Sequence, residues 1–179
     1  MPSILKVGIV SHNKSLPLGH VSVADAVVQQ RRSQIIVPGG RRLHDYVNLY
    51  ICARNPMMFK LRGQHTDLCV LKVSTDVLDI PDAVITDRNA SSDYARFARS
   101  PEGLAIVVRE LTFAEYWTDL DKIRYFQKES AKCAEVLIPD CVRLEFVSGV
   151  YVSCKETSDR FIAMDSELPV TINGNLFFR

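Results

Sequence analysis

The sequence predicts an α+β fold. Its candidate strands and helices are short, and they do not follow the regular strand–helix–strand order that builds a parallel sheet. A chain of 179 residues is long enough to bury a substantial core, and it contains no repeats, linkers or low-complexity runs. We therefore predict a single domain over residues 1–179.

The composition excludes disordered, fibrous and membrane-spanning proteins. Hydrophobic residues make up 47% of the chain and charged residues 24%, as in ordinary globular proteins. No apolar run approaches the ~20 residues of a membrane span. Residues 1–6 lack the charged-then-apolar order of a signal peptide. We expect a cytoplasmic protein without a membrane partner.

The cysteines and histidines do not predict a metal site. Their spacing includes no C-x-x-C pair and no metal-ligand pattern. No histidine is placed in sequence to activate a cysteine, so most cysteines are expected to behave as small hydrophobic residues. Neither common glycine-rich phosphate loop is present, which excludes the Rossmann manner of holding a dinucleotide.

Local patterns predict the individual elements. A helix that ends at Gly8 is followed by an extended step, and Ser22 is a candidate N-cap for a helix over 23–34. Further helices are expected at 91–99, 119–126 and 157–164, with a helix or turn at 77–80. Strands are expected at 46–53, 67–73, 83–86 and within 140–154, and Glu135 leads an apolar run at 134–138.

Residues 44–59 are the stretch around which the chain is organised. Side chains alternate between two faces, with Tyr46, Asn48 and Tyr50 opposite Val47 and Leu49. The pattern stops at Arg54-Asn55-Pro56, because proline cannot donate a hydrogen bond to a neighbouring strand. Arg54 is then either a surface residue in a turn or a fixed cation at the edge of the core.

Two other polar features adjoin apolar runs. Glu135 precedes Val136-Leu137-Ile138, where burial is costly unless the carboxylate is paired or functional. It could equally be the exposed first residue of a strand. Thr86-Asp87-Arg88-Asn89-Ala90 ends a short strand, and its Asp and Asn could form an Asx turn or belong to a site.

Positive charge is concentrated in the first third of the chain. Residues 1–62 contain nine Lys or Arg and two Asp, a charge of +7, whereas the whole chain carries only +1. A basic region of this kind is typical of binding to a polyanion such as nucleic acid or a pyrophosphate. A solvated basic face is the alternative.

Several of these segments together resemble the DarT family of DNA ADP-ribosyltransferase toxins. Asp45-Tyr46-Val47, the tyrosine-containing strand and Arg54-Asn55-Pro56-Met57 resemble the family's central signature. The order and spacing of further segments are also similar. These are residues 4–13, Gln30-Arg31-Arg32, Thr86-Asp87-Arg88-Asn89-Ala90, Tyr116-Trp117-Thr118-Asp119 and 133–139. The resemblance covers about residues 3–152.

The resemblance implies an ADP-ribosyltransferase-like split β-sandwich with short flanking helices around an NAD cleft. Enzymes of this family transfer ADP-ribose from NAD, their co-substrate, to a nucleobase of single-stranded DNA. By resemblance, Arg54 and Glu135 would be catalytic, and Arg54, His12, Asn13 and Tyr46 would contact NAD. A carboxylate can stabilise the oxocarbenium-like ribose of the reaction, and an arginine suits a pyrophosphate.

For DNA, the resemblance implies a basic front and a loop that faces the strand. The residues assigned to DNA are Arg31, Arg32, Thr86, Asp87 and Asn89. The family's usual partner is a macrodomain antitoxin of DarG type, which would make the protein the toxin of a toxin–antitoxin pair.

The chain departs from the family at its start. Family members usually begin upstream with a strand that carries a histidine-x-threonine element for NAD, and this chain begins after that point. The start is truncated, another segment replaces the strand, or NAD binding has been lost. An alternative hypothesis is therefore a catalytically impaired relative that binds nucleic acid without turning over NAD. Transfer to protein or RNA is a third.

Overall fold

The structure, a computed structural model, describes residues 3–18 and 26–179. Strands and helices in these ranges are short, as the sequence predicts. In chain order the strands are β1 (Ile9–Val10), β2 (Tyr46–Tyr50), β3 (Cys69–Val73), β4 (Val84–Thr86), β5 (Phe97–Arg99), β6 (Glu135–Pro139), β7 (Cys141–Val142), β8 (Val147–Val152) and β9 (Val170–Ile172). The α-helices are α1 (Ile4–Val7), α2 (His12–Ser15), α3 (Ala26–Ser33), α4 (Pro56–Lys60), α5 (Arg109–Thr112), α6 (Lys122–Ala131) and α7 (Lys155–Ile162).

A four-stranded antiparallel sheet in the order β2-β6-β4-β5 carries the central residues. Its register places Glu135 opposite Tyr50 on one side and opposite Thr86 on the other. The first residue of β6 therefore lies between two strands rather than at a free edge. This position excludes the exposed-strand-end interpretation of Glu135.

The alternation predicted for β2 is confirmed. Val47, Leu49 and Ile51 pack on one face of the sheet, in a core that also contains Ile85 and Val136. Tyr46 lies on the opposite face in a second cluster with Leu137. Because successive side chains of a strand point to opposite faces, Asn48, Tyr50 and Glu135 share the face of Tyr46. The strand itself is shorter than predicted and ends at Tyr50.

A separate three-stranded sheet has the order β3-β8-β9, in which β8 and β9 run parallel. Val150 and Val152 of β8 pack with Phe161 of α7 in a third core cluster. Strands β1 and β7 form a small antiparallel pair. The result is a mixed α+β arrangement of several sheets with short helices, which confirms the predicted fold class.

The helix boundary at Gly8 is also confirmed. Gly8 has φ +79° and ends α1, so β1 begins at the next residue. A Cβ at this position would lie 2.4 Å from the carbonyl oxygen of Val142. Glycine is therefore required both by the backbone conformation and by the approach of β7.

Some local predictions are wrong. No helix forms over 91–99, where the chain turns and then enters β5, because pairing with β4 outweighs the helical spacing of Tyr94 and Phe97. A helix that the sequence does not predict, α2, forms at His12–Ser15 and is capped by the Ser11 hydroxyl.

Two further helices start at positions other than those predicted. Helix α6 begins later than predicted, after the Asp121 cap. The helix predicted at 157–164 begins earlier, at Lys155, so that Thr157 and Ser158 are buried inside α7. The predicted cap Ser22 lies outside the described residues. None of the described helices combines the length and the apolar character needed to cross a bilayer.

Candidate active site

Glu135 is a buried carboxylate at the start of β6, with only 1% of its surface exposed. Its Oε2 accepts hydrogen bonds from Arg32 Nη2 at 2.8 Å and from Asn48 Nδ2 at 2.7 Å. Its Oε1 accepts from the backbone N–H of Ala90 at 3.2 Å and from Arg32 Nη1 at 3.3 Å. Four donors therefore hold the carboxylate in one orientation.

Arg32 belongs to α3 and reaches from this helix to Glu135 on the sheet. Its guanidinium makes the two-point contact that this planar group makes with a carboxylate. Burial disfavours the charged guanidinium, but the carboxylate of Glu135 outweighs this effect and raises the pKa of Arg32 above its usual value. The pair is a fixed cation and a fixed anion side by side.

Tyr50 and Thr86 flank Glu135 on the neighbouring strands. The Thr86 hydroxyl accepts a hydrogen bond from the Glu135 backbone N–H at 3.2 Å and donates to the Arg88 carbonyl at 2.7 Å. Burial, and then the charge of Glu135, raise the pKa of the Tyr50 phenol well above its usual range. Tyr50 therefore stays neutral at physiological pH.

An open cleft with a volume of about 2190 Å³ lies over this face. Typical small-molecule pockets measure roughly 300–1000 Å³, so the cleft has room for more than one ligand. Arg32, Asn48 and Tyr50 line its floor. Its walls include aromatic side chains and neighbouring polar groups, among them Phe59, Tyr94, Trp117, Tyr125, Phe126, Arg31, Asn89 and Ser130.

The loop after β4 is organised by a second buried carboxylate, Asp87. Arg88 donates to both of its oxygens at 3.2 and 3.0 Å, and Arg96 donates through Nε at 2.9 Å and through its backbone N–H at 3.0 Å. Burial alone would raise the pKa of Asp87, but the hydrogen bonds from Arg88 and Arg96 lower it below the usual value. This network fixes the loop that delivers the Ala90 N–H to Glu135.

Arg54, predicted as a catalytic residue, has different neighbours. Its Nη1 donates to the backbone carbonyl of Asn175, and its guanidinium carbon lies 3.8 Å from the ring centroid of Phe178. In the described part of the chain, the arginine paired with Glu135 is Arg32. Glu135 is thus paired with Arg32, a residue that the family resemblance assigns to DNA binding.

The other three residues predicted to contact NAD have different surroundings in the structure. The ring of His12 stacks on that of His44 at 4.1 Å, and His44 Nε2 lies 3.1 Å from Gln29 Oε1 at the cleft wall. Asn13 donates to Asp45 at 2.6 Å. Tyr46 is 2% exposed and packs in the core below the 38–41 turn, so the expectation that it contacts NAD needs correction.

The predicted DNA residues separate into two groups. Arg31 is exposed at the cleft, and Asn89 lines it while its side chain accepts from Ser91. Arg32, Thr86 and Asp87 are buried and fully engaged, so they are not available to contact a DNA backbone. Thr86 and Asp87 shape the loop instead of facing the DNA.

Folding partly neutralises the positive charge of residues 1–62. Arg41 and Lys14 both pair with Asp140, at 2.7 and 3.4 Å, and Arg32 pairs with Glu135. These acidic partners lie in the last third of the chain, so the charge of residues 1–62 overstates the positive surface. Arg31 remains as the exposed cation of α3 at the cleft.

Two groups at the site were not predicted as site residues. In the sequence, Asn48 stands out only as part of the alternation of β2. It is an amide between two tyrosines on the same face of the strand, and this could have marked it as a candidate site residue. The Ala90 contact comes from the backbone, which no side-chain pattern reveals. Among residues 3–18 and 26–179, no group of three or more His, Cys, Asp or Glu is arranged to hold a metal ion.

Comparison with known proteins gives consistent matches along the chain. A curated protein of Thermosipho africanus, "DNA ADP-ribosyl transferase-DNA ADP-ribosyl glycohydrolase fusion protein", is 30% identical over 99% of this chain, which spans 47% of that protein's length. A "DNA ADP-ribosyl transferase" of Thermus sp. is 29% identical over 94% of this chain and 84% of its own length.

The fold comparison agrees. The structure of Thermus sp. 2.9 DarT in complex with ADP-ribosylated ssDNA superposes with a TM-score of 0.83, at 26% identity, covering 98% of this chain and 90% of that one. That Thermus protein has also been solved in complex with NAD+. The sequence profile of the family described as "ssDNA thymidine ADP-ribosyltransferase, DarT" matches residues 1–178. The chain therefore belongs to the DarT family.

Proposed function

We propose that this protein transfers ADP-ribose from NAD to thymidine in single-stranded DNA. The observation that carries the proposal is the buried Glu135 carboxylate, which is paired with Arg32, a residue that lines a cleft large enough for two substrates. Membership of the DarT family supports the choice of donor and acceptor. The Thermus relative bound to ADP-ribosylated ssDNA supports the same choice.

The reaction replaces one C–N bond with another. The bond between ribose C1′ and the nicotinamide nitrogen breaks, and its electron pair leaves with neutral nicotinamide. A bond from C1′ to a nitrogen of the base forms, and that nitrogen loses its proton. The ribose carries oxocarbenium character between these events, so a fixed anion nearby lowers the barrier.

Glu135 is the group that provides this anion. Its carboxylate is oriented before substrate arrives, so little reorganisation is needed during the reaction. It also accepts the proton of the attacking base nitrogen, a role that Arg32 cannot take because its guanidinium stays charged. Arg32 and Asn48 orient the carboxylate by donating hydrogen bonds to it.

The cleft walls provide the contacts for a DNA strand. Tyr94 and Phe126 line the cleft with 81% and 62% of their surfaces exposed, which leaves ring faces on which bases can stack. Arg31 supplies a cation for the phosphate backbone. Sequence-tolerant stacking beside a cation is the usual arrangement for binding single strands.

The proposal extends to the biological setting. We regard residues 1–179 as one ADP-ribosyltransferase unit that acts in the cytoplasm, where DNA and NAD are both available. The Thermosipho africanus relative joins a transferase to a glycohydrolase in one chain. By analogy, the partner proposed here is a macrodomain antitoxin of DarG type that removes ADP-ribose, and the transferase would be the toxin.

The test is to incubate the protein with NAD and synthetic single strands that differ only in thymidine content. We expect the mass of one ADP-ribose group to be added to thymidine-containing strands, with release of nicotinamide. Glu135→Gln should abolish the addition. Glu145→Gln is the matched control, because Glu145 is an exposed carboxylate paired with Arg143 and should leave transfer unchanged.

Other results would revise the proposal in defined ways. Strand binding without NAD consumption would favour the non-catalytic alternative. Addition to RNA or to protein, but not to DNA, would favour a different acceptor. Transfer at an unchanged rate in Glu135→Gln would remove Glu135 from the mechanism.

A further inference from the structure

Lys132, the residue that follows α6, is a buried lysine with only 1% of its surface exposed. Its ammonium donates to the backbone carbonyl of Thr112 at 3.1 Å and to Cys52 Sγ at 3.5 Å. Among residues 3–18 and 26–179, no carboxylate pairs with it. Burying an ammonium group beside a carbonyl and a thiol is costly, so this position requires an explanation beyond the filling of space.

The Lys132–Cys52 contact lies at the end of the pairing between β2 and β6. The last backbone hydrogen bond between the two segments runs from the Ile51 N–H to the Ala134 carbonyl, at 3.0 Å. Cys52 follows directly, where the chain leaves the sheet. Lys132 therefore ties the turn after β2 to the segment that leads into β6.

The lysine is itself held from the other side. Thr112, at the end of α5, is fully buried, and its hydroxyl donates to the Ala131 carbonyl at 3.2 Å. Together with the bond from Lys132 to the Thr112 carbonyl, this joins α5 to the end of α6 by two hydrogen bonds. The ammonium group is thus a fixed point from which Cys52 is held.

Cys52 passes this contact on to the rest of the turn. Its thiol donates to the Arg54 carbonyl at 3.5 Å, and its own carbonyl accepts from Asn55 Nδ2 at 2.9 Å. Asn55 is 1% exposed, and its Oδ1 accepts from the Met58 N–H at the start of α4. The position of Cys52 therefore determines both the backbone of Arg54 and the start of α4.

This turn leads into the cleft. Helix α4 begins two residues after Arg54, and its Pro56, Met57 and Phe59 line the cleft. Arg54 is the residue of the turn that the family resemblance assigns to NAD. A displacement of the turn would therefore move this arginine and part of the cleft wall together.

We propose that Lys132 is a positioning residue for NAD binding. Its buried ammonium holds the turn from Cys52 to Asn55 against the start of β6, and so fixes Arg54 and the start of α4 before NAD arrives. Lys132 does not touch the substrate and acts only through the turn. This inference rests on the proposed transferase function, which supplies NAD as the ligand.

The variants separate the tie to the turn from the burial of the lysine. Cys52→Ala removes the thiol and leaves the bond between Lys132 and Thr112 in place. Cys52→Ser restores a group that accepts from the ammonium and donates to the Arg54 carbonyl. Lys132→Met and the double mutant Lys132→Met/Cys52→Ala complete a cycle. If Lys132→Met does not fold, Cys52→Ala and Cys52→Ser still decide the inference.

Two control variants match the chemistry of these changes. Cys141→Ala removes a thiol that also donates to a backbone carbonyl at 3.5 Å, outside the cleft lining. Lys128→Met removes a lysine of the same helix, which pairs with Asp119 at 2.7 Å. Neither control should change NAD binding.

Two measurements need no transfer. Hydrogen exchange followed by mass spectrometry reports on the amides of residues 52–55 in the free protein, and calorimetry gives the Kd for NAD. We expect Cys52→Ala to accelerate exchange at residues 52–55 and to raise the Kd for NAD roughly 3–10-fold. The Kd for a thymidine strand, measured by fluorescence anisotropy, should stay within about twofold. Cys52→Ser should bind NAD like the wild type, and the double mutant should resemble Lys132→Met.

Three outcomes would overturn the inference. One is an unchanged Kd for NAD in Cys52→Ala, whatever the exchange rates. The second is equal weakening of NAD and strand binding, which would indicate a general structural role. The third is a Cys52→Ser variant as impaired as Cys52→Ala. If the wild-type protein binds NAD but transfers nothing, the proposed function fails while these binding and exchange results still decide the role of Lys132.

Discussion

Arg32 and Glu135 lie 103 residues apart in the sequence and form a buried ion pair with Nη2–Oε2 and Nη1–Oε1 distances of 2.8 and 3.3 Å. Arg32 comes from α3, and Glu135 comes from an inner strand of the four-stranded sheet. Burying two charges is costly, and the pair is stable only because Asn48 and the Ala90 N–H satisfy the remaining carboxylate positions. A pair held at such cost, with Arg32 lining a cleft, is typical of a functional site.

Removing the Asn48 amide should lower activity without unfolding the protein. Asn48→Ala deletes one charge-assisted hydrogen bond to Glu135 while Arg32 remains in place. Hydrogen bonds to charged groups contribute about 1.5–3 kcal/mol, so we expect a roughly 10–100-fold decrease in the single-turnover rate. Ser148→Ala, which removes an exposed hydroxyl bonded to the Lys72 carbonyl away from the cleft, is the comparison. Equal effects of the two substitutions would contradict a specific role for Asn48.

Arg31 should affect DNA binding and not chemistry. Arg31→Ala removes an exposed cation at the cleft, adjacent in sequence to the buried Arg32. We expect weaker binding to single strands of any sequence and a salt dependence of log K that is shallower by about one. Binding measured by fluorescence anisotropy at several salt concentrations checks this. An unchanged salt slope would show that Arg31 does not contact phosphate.

Asp87 should make the stability of the protein depend on acid pH. Its pKa is depressed in the folded state, so its stabilising effect is present above the unfolded-state pKa and is lost as pH falls through the folded-state pKa. Asp87→Asn should therefore reduce the free energy of unfolding near pH 7, by roughly 1–3 kcal/mol.

Below the folded-state pKa of Asp87, the variant and the wild type should converge. Denaturant unfolding from pH 7 down to the lowest pH at which both proteins stay folded measures the difference, which should begin to narrow as the pH falls past the ordinary Asp pKa of about 3.9. A gap that stays constant across this range would contradict the assignment, because it would show that the carboxylate's charge is not what stabilises the loop.

The thiols should differ in reactivity according to their surroundings. Burial raises the pKa of Cys133 to about 12, so its thiolate is scarce at neutral pH. Hydrogen bonding to Thr157 lowers the pKa of Cys154 at the start of α7. Iodoacetamide should therefore label Cys154 well before Cys133, as read by peptide mass mapping. Because Cys154 is not at the cleft, its labelling should leave transfer intact.

The sequence predicted those features that depend on local pattern. The alternation of β2, the end of α1 at Gly8 and the position of Glu135 at the head of an apolar strand all follow from residue types at fixed spacing. The resemblance of several ordered motifs to one family added the chemistry that patterning alone could not supply. Together they identified the family and Glu135 as a candidate catalytic residue, whereas the burial of Glu135 follows from the pairing of β6 with both β2 and β4.

Local pattern could not predict which arginine pairs with Glu135. Arg31 and Arg32 are adjacent on a helix, so they point about 100° apart, and only the packing of α3 on the sheet decides which one is buried. Arg54 contacts a segment 121 residues further along the chain, and no local pattern in the sequence predicts that contact. The helix predicted at 91–99 is wrong for the same reason, because local spacing does not reveal the pairing of this segment with β4.

The central claim is that Arg32, paired with Glu135, is the arginine on which transfer depends. The most direct test compares single-turnover transfer of ADP-ribose to a thymidine strand in Arg32→Lys and in Arg143→Lys, an exposed arginine paired with Glu145 outside the cleft lining, with melting curves to confirm folding. Lysine keeps the charge but loses the two-point contact with the carboxylate. We predict a decrease of about 100-fold or more in the rate for Arg32→Lys and less than about threefold for Arg143→Lys. The reverse order in two folded variants would contradict the account.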